Sequence, residues 1–362
     1  MERIDLNALV CERPHESALR STRSTSHLPA LLRLSFFYLT LSYCRAWRGS
    51  LVCVLMKNAP ALILFVVMAT LCRGQVSPVS KPQRPIPAVE HVVIVSIDGL
   101  RPDRALLADM PNLRRLLKQG AYTFWAKTTA VSITLPSHTS MLTGVTPQKH
   151  GIEWNRDLPF SEPVYPKVPT LFEMASQVGY TTALVAGKSK FSALCKPNTV
   201  TWVSVPSEAK GDNEEVLANA VKIIEEKKPD VLFVHFTDVD TVGHAKGWGS
   251  TEQLACIEKT DRQLGELIAS LNRAGLWDST FMIVTADHGG AGLTHGADDA
   301  RSRHIPWIVV GPGVRKNFDL TSSASLEVRT EDTCATACYL LGLPQASYFD
   351  GKPVTAAFEI AP

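Results

Sequence analysis

Three aspartates and three histidines stand where a chain can do metal chemistry. Asp98 follows the apolar run His91–Ile97 in Val-Ser-Ile-Asp-Gly. Asp240 and His244 come after Val231–Phe236, in Asp-Thr-Val-Gly-His. Asp287 and His288 follow Thr280–Ala286 in Val-Thr-Ala-Asp-His-Gly-Gly, and His295 lies shortly beyond. A carboxylate beside a buried strand is costly without a partner. Three carboxylates and three imidazoles can bind two divalent ions through mixed N and O ligands, a mixture that suits zinc. Two metals about 3.5–4 Å apart form a clamp for in-line displacement at phosphorus. Asp238 competes with Asp240, but only Asp240 has the x-x-Gly-His continuation. His304, just before the run Ile305–Val310, is an alternative to His295, and His235 reads as a core histidine inside its strand.

A nucleophile is available in Thr128-Thr-Ala-Val-Ser-Ile-Thr134-Leu-Pro136-Ser-His138-Thr-Ser-Met-Leu-Thr-Gly144. Pro136 suits the first turn of a helix running to about Leu142. Thr134 then precedes a helix N-terminus, where free N–H groups and the dipole favour a phosphate. A hydroxyl needs activation to attack, and an adjacent metal supplies it. Ser132 and Ser137 are competing hydroxyls.

These residues need a frame that brings strand ends together. Strands are expected at His91–Ile97, Thr182–Ala186, Val231–Phe236, Thr280–Ala286 and Ile305–Val310. They are almost continuously apolar, as strands buried on both faces are. Helices are expected at Asn112–Gln119, Thr170–Gln177, Glu214–Lys227, Thr251–Ala274 and Glu331–Leu341. The alternation predicts an α/β fold of three layers, a mostly parallel central sheet with helices on both faces. Such sheets carry their chemistry in loops at the carboxyl ends of strands.

The order Asp98-Gly, Thr134-Leu-Pro-Ser-His-x-x-x-x-Thr-Gly-x-x-Pro-x-x-His150-Gly-Ile-x-x-Asn155, Asp240-x-x-Gly-His244, Asp287-His288-Gly and His295-Gly-x-Asp298 resembles the alkaline phosphatase superfamily. Within it, the chain looks most like the type I phosphodiesterase/nucleotide pyrophosphatase branch, over residues 91–345. The resemblance implies an alkaline phosphatase-like fold and two zinc ions. Asp98, Asp287 and His288 would hold one ion; Asp240, His244 and His295 would hold the other. His295 is preferred to His304 because His-Gly-x-Asp is the family pattern. The implied chemistry is attack by Thr134 on a small-molecule phosphate ester, a covalent phospho-threonine, then hydrolysis by water. Asn155 and Ser137 are candidate substrate contacts, although Ser137 stands where the branch usually has Asn. Gly187-Lys188-Ser-Lys190 resembles the Lys-x-Arg pair with which some bacterial alkaline phosphatases grip a monoester. Lys188 and Lys190 are therefore further candidates, and phosphomonoester hydrolysis is the rival activity. Phosphonate hydrolysis and an inactive, ligand-binding relative are the remaining alternatives. A formylglycine sulfatase is excluded: its Cys- or Ser-x-Pro-x-Arg register reads Thr134-Leu-Pro-Ser-His138 here.

The composition agrees with an enzyme domain. The 362 residues include 37 Lys+Arg, 35 Asp+Glu and 45 % apolar residues. Residues 1–74 hold 9 Lys+Arg and 4 Asp+Glu, leaving 28 and 31 in the other 288. That net of −3 excludes a polyanion-coating module, and no nucleic-acid-binding surface is expected. Met56-Lys57, the apolar run Ala61–Leu71 and Cys72-Arg73-Gly74 read as a secretory signal. That run is too short for a stable membrane span. Residues 1–74 are taken as an N-terminal extension and signal peptide with its true start at Met56, although an uncleaved signal anchor is the alternative. Residues 75–90 form a Pro-rich linker, and 91–362 the phosphohydrolase domain of a secreted or periplasmic protein. Cys195, Cys256, Cys334 and Cys338 permit two disulfides but equally suit buried thiols.

Overall fold

Continuous apolar, β-branched runs set the strands, because a strand covered on both faces has no polar side to show. The computed structural model describes residues 80–359, apart from 159, 161–162, 208–210, 297 and 324. The expected signal segment and the start of the linker lie outside the described residues. No helix among the described residues is long and apolar enough to cross a membrane.

The strands are β1 (His91–Ile97), β2 (Ala121–Lys127), β3 (Thr182–Ala186), β4 (Trp202–Ser204), β5 (Val231–Phe236), β6 (Thr280–Thr285), β7 (His304–Val310) and β8 (Phe318–Asp319). The helices are α1 (Pro102–Leu107), α2 (Pro111–Gln119), α3 (Thr134–Thr143), α4 (Pro147–His150), α5 (Leu171–Gln177), α6 (Asn213–Lys227), α7 (Asp238–Lys246), α8 (Thr251–Arg273), α9 (Ala300–Arg303) and α10 (Thr330–Leu340). One sheet runs β4-β3-β5-β1-β6-β7-β2-β8. Every pairing is parallel except those of β7 with β6 and with β2. On one side α8 packs on α2, α6 and α7; on the other α3 packs on α5 and α10. The result is the three-layer α/β sandwich expected from the alternation.

Local signals explain the helix ends. The side chains of Thr170, Asp212 and Ser250 accept the N–H groups of Glu173, Glu215 and Gln253, capping α5, α6 and α8. The sequence reading missed β2, β4 and β8. It also placed Asp240 and His244 in a loop, whereas both lie on α7. That helix has weak local signals: Gly243 sits inside it, and its N-cap Thr237 makes no side-chain cap.

Register is what assembles the site. Ile97 pairs with Phe236, and Ser96 with Thr285, so β5, β1 and β6 end level and side by side. Their following residues carry Asp240, Asp98 and Asp287. β3 lies next outward, beyond β5, and delivers Lys188. The turn after Asp98 needs Gly99: its φ is +74°, and a Cβ there would sit 3.1 Å from Asp240 Cα.

Candidate metal centre

Asp98, Asp287 and His288 are fully buried, and Asp240 is nearly so. Each aspartate uses its two oxygens differently. Asp98 Oδ2 accepts from Lys188 Nζ at 2.6 Å and from His235 Nε2 at 2.9 Å. Asp240 Oδ2 accepts from the same Lys188 Nζ at 2.7 Å. Asp287 Oδ1 accepts the Gly99 N–H at 3.1 Å. The other three oxygens (Asp98 Oδ1, Asp240 Oδ1 and Asp287 Oδ2) are buried without a hydrogen-bond partner. An unpaired buried carboxylate oxygen costs several kcal/mol unless a cation meets it.

Those same oxygens face imidazole nitrogens. His288 Nε2 lies 3.3 Å from Asp98 Oδ1 and 3.2 Å from Asp287 Oδ2. His244 Nε2 and His295 Nε2 lie 3.4 Å and 3.7 Å from Asp240 Oδ1. Each of these histidines has its Nδ1 against a backbone carbonyl: Gly289 O for His288, Leu293 O for His244, and Ser132 O for His295. A carbonyl only accepts, so Nδ1 carries the proton and each Nε2 presents a lone pair. That is how a metal-binding histidine is held by its surroundings. Two ligand groups result, Asp240–His244–His295 and Asp98–Asp240–His288, with Asp240 at the junction. The residue set fits metal ions.

The electrostatics agree with that fit. Burial pushes His288 down to about 3, so its imidazole is neutral. Burial and the Asp98 and Asp240 charges push the Asp287 carboxyl well up; a nearby cation would reverse this. Burial opposes ionisation of Asp98 too, but Lys188 and the His235 hydrogen bond outweigh it and hold that carboxyl low.

Thr134 is buried and is the first residue of α3 where the sequence placed it just before the helix, and Pro136 lies in the first turn as expected. Its Oγ1 lies 3.4 Å from His288 Nε2. Leu135 donates its N–H to Asn155 Oδ1 at 3.0 Å, and Lys190 Nζ donates to the same oxygen at 2.8 Å. Beside them opens a cavity of about 250 Å³ lined by Leu135, Trp154, Leu158, Phe160, Lys190 and Ala193. Ser137 is placed differently. Its buried hydroxyl donates to Asp287 O at 2.8 Å and lies 2.6 Å from Thr128 Oγ1, so it ties α3 to the end of β6. His304 stands apart from the cluster, edge-on to Trp125 at 4.9 Å. Asp238 Oδ1 accepts the Asn213 N–H instead of joining the cluster. All four described cysteines are free, with Cys334 and Cys338 buried in α10 and their sulfurs 4.0 Å apart.

Sequence reasoning missed four supporting residues. His235 is buried in β5, as a core histidine would be, yet it bonds Asp98. His138 donates from Nδ1 to Thr134 O at 2.8 Å and accepts from Ser96 Oγ at Nε2, linking α3 to β1. Trp248 donates to Gly99 O at 3.0 Å and packs edge-on to His244 and His295. Asn213 Oδ1 accepts the N–H groups of Thr237 and Asp238 at 2.7 and 3.1 Å, capping α7 from another helix. An Asn at a helix start reads only as a local cap, so no signal in the sequence singles it out.

The family model "Type I phosphodiesterase / nucleotide pyrophosphatase" matches residues 92–301. The chain is 29 % identical over 244 residues to bis(5'-adenosyl)-triphosphatase ENPP4 of Bos taurus, covering 63 % of this chain and 52 % of that protein. It is 27 % identical over 217 residues to human ectonucleotide pyrophosphatase/phosphodiesterase family member 5, covering 56 % and 45 %. The chain thus spans about half the length of the curated relatives it matches. Murine ectonucleotide pyrophosphatase/phosphodiesterase 5, solved as an inactive variant in complex with AMP, superposes with a TM-score of 0.64 at 18 % identity, covering 75 % of this chain and 100 % of that one. A 2-O GAG sulfatase superposes with a TM-score of 0.62 at 14 % identity, covering 77 % and 74 %, so the two solved structures share the fold. With the family match spanning more than half of its length, the chain belongs to the type I phosphodiesterase/nucleotide pyrophosphatase family.

Proposed function

We propose that the chain is an exported two-zinc phosphoric ester hydrolase that cleaves phosphodiester or pyrophosphate bonds through a phospho-threonine at Thr134. One observation carries this reading: three orphaned carboxylate oxygens face three Nε2 lone pairs, one of which, that of His288, lies 3.4 Å from the Thr134 hydroxyl. Asp98, Asp287 and His288 would hold one ion, and Asp240, His244 and His295 the other. When bound, the ions supply positive charge for the phosphoryl oxygens and lower the pKa of a hydroxyl or water at the site.

The chain's own residues do the rest. Thr134 Oγ1 bonds to phosphorus and gives its proton to solvent, while the bond from phosphorus to the leaving-group oxygen breaks in line and that group departs, taking up a proton from solvent where it needs one. Water then hydrolyses the Thr134 ester and returns the hydroxyl. Asn155 ties the backbone of Leu135 to Lys190, whose side chain lines the cavity. Trp154 and Phe160 stand in the wall of this cavity beside Arg156 and Asp157, where an organic leaving group would sit. The relatives named for bis(5'-adenosyl)-triphosphatase and nucleotide pyrophosphatase activity support a nucleotide there.

The Lys190 ammonium favours a second reading, phosphomonoester hydrolysis, because a monoester dianion gains more from an added cation than a diester does. The sulfatase neighbours share the fold only, since Thr134 occupies the formylglycine position. Rates on aryl phosphodiester, aryl phosphomonoester and aryl sulfate, with zinc restored after chelation, decide among them. The diester should be fastest and the sulfate inert. A faster monoester selects the second reading, and a metal-independent rate refutes both. The apolar segment at 61–71 and relatives named as ectoenzymes support export. N-terminal sequencing of secreted protein should then begin at or near Gln75.

A further inference from the structure

Lys188 and Lys190 sit two residues apart, yet their amines go to different places. Lys190 Nζ reaches Asn155 and the cavity. Lys188 is only 8 % exposed, and its Nζ contacts Asp98 Oδ2 and Asp240 Oδ2. Under the two-zinc reading, on which this inference rests, those aspartates serve different ions. Asp98 ends β1 and Asp240 lies on α7, so Lys188 reaches past the end of β5 to join them. Both contacts use Oδ2, and both Oδ1 atoms stay unpaired and aimed at the histidines.

We propose that Lys188 is a positioning residue that ties the two metal-ligand halves together and keeps the empty site folded, leaving Lys190, not Lys188, to face substrate. Three buried carboxylates meet at this point. With no ion bound, the Lys188 ammonium opposes their repulsion. With ions bound, the metals share that neutralisation. Losing Lys188 therefore harms the metal-free chain more than the loaded chain. By mass action, a group whose loss destabilises the empty form more than the loaded form enlarges the stabilisation that metal confers.

The test is thermal unfolding of the full chain, chelated and zinc-loaded, with inorganic phosphate affinity measured on the loaded forms. Lys188→Met should melt several degrees lower than wild type when chelated and close to wild type when loaded. Its phosphate affinity should be nearly unchanged. Lys190→Met should show the reverse: a wild-type zinc response and phosphate binding weakened several-fold. Equal loss in both forms of Lys188→Met, or phosphate binding weakened as in Lys190→Met, overturns the role given to Lys188. A wild-type chain whose melting zinc does not raise refutes the metal reading itself. Should Lys188→Met not fold, Lys188→Gln keeps a donor without the charge. It should show a smaller change of the same sign, and equal loss in both its forms also overturns the proposal.

Discussion

The ring of His235 lies with Nε2 2.9 Å from Asp98 Oδ2 and with Nδ1 accepting the Gly187 N–H at 3.4 Å. Because Nδ1 accepts, the ring proton resides on Nε2 and is donated to the aspartate. The histidine thereby occupies one oxygen of Asp98 and leaves Oδ1 for a metal. The residue before Lys188 fixes the tautomer of the histidine that shares Asp98 with Lys188.

Removing that donor should loosen the ligand without touching substrate. In His235→Phe, which keeps an aromatic ring against Phe191 at this position, zinc affinity is expected to fall about 10- to 100-fold. KM should change little once zinc is saturating. Equilibrium dialysis with zinc measures the first, and steady-state kinetics the second. Unaltered zinc affinity would show that His235 only packs.

The nucleophile assignment predicts a split between binding and turnover. Thr134→Ala should keep its zinc content and bind inorganic phosphate, while kcat falls by several orders of magnitude. Thr134→Ser should retain much of the activity, since a primary hydroxyl can make the same attack. Acid-quenched labelled substrate should leave its label on Thr134. Label on Ser132, or full turnover in Thr134→Ala, would mean that another group attacks.

Asn213 is fully buried, with both ends of its amide used: Oδ1 at the start of α7, Nδ2 on Thr260 and Gln263. Asn213→Ala should cost about 1–3 kcal/mol in denaturant unfolding, because buried N–H groups lose their acceptor. It should also weaken zinc binding by about tenfold, since α7 carries Asp240 and His244. Stability lost with zinc affinity intact would confine its role to packing.

His150 gives a pH signature away from the metal ligands. Its Nδ1 accepts the Ile152 N–H at 3.0 Å, and burial pushes its pKa down to about 4. The unfolded chain takes up that proton near the ordinary histidine pKa of about 6.5. Stability from neutral His150 is therefore complete above about 6.5 and is lost as pH falls from there toward about 4. The loss is on the order of 3 kcal/mol. His150→Gln should flatten the stability profile over that interval in urea titrations; an unchanged slope would assign it to other groups.

Residue type and local order made much of the protein legible from the sequence. Strands β1, β3, β5 and β6 announce themselves because burial on both faces forces unbroken apolar runs, and polar residues just after such runs mark a site. Thr134, the three aspartates and the three histidines were therefore nameable before any contact was known, and the structure brings all seven together. The tertiary structure decided what each does with its neighbours. β7 runs antiparallel, and β2, with Trp125 exposed at its bulge, lacks the apolar run of a covered strand. α7 forms over a weak helical sequence because Asn213 caps it and α8 covers it. Lys188 and Lys190 look equivalent in the chain, as do Ser132 and Ser137 as hydroxyls. Their partners lie as far as 150 residues away, as with Ser137 and Asp287. Local sequence fixes which side chain a backbone position carries, whereas sheet order and register alone fix which distant carboxylate or carbonyl it meets.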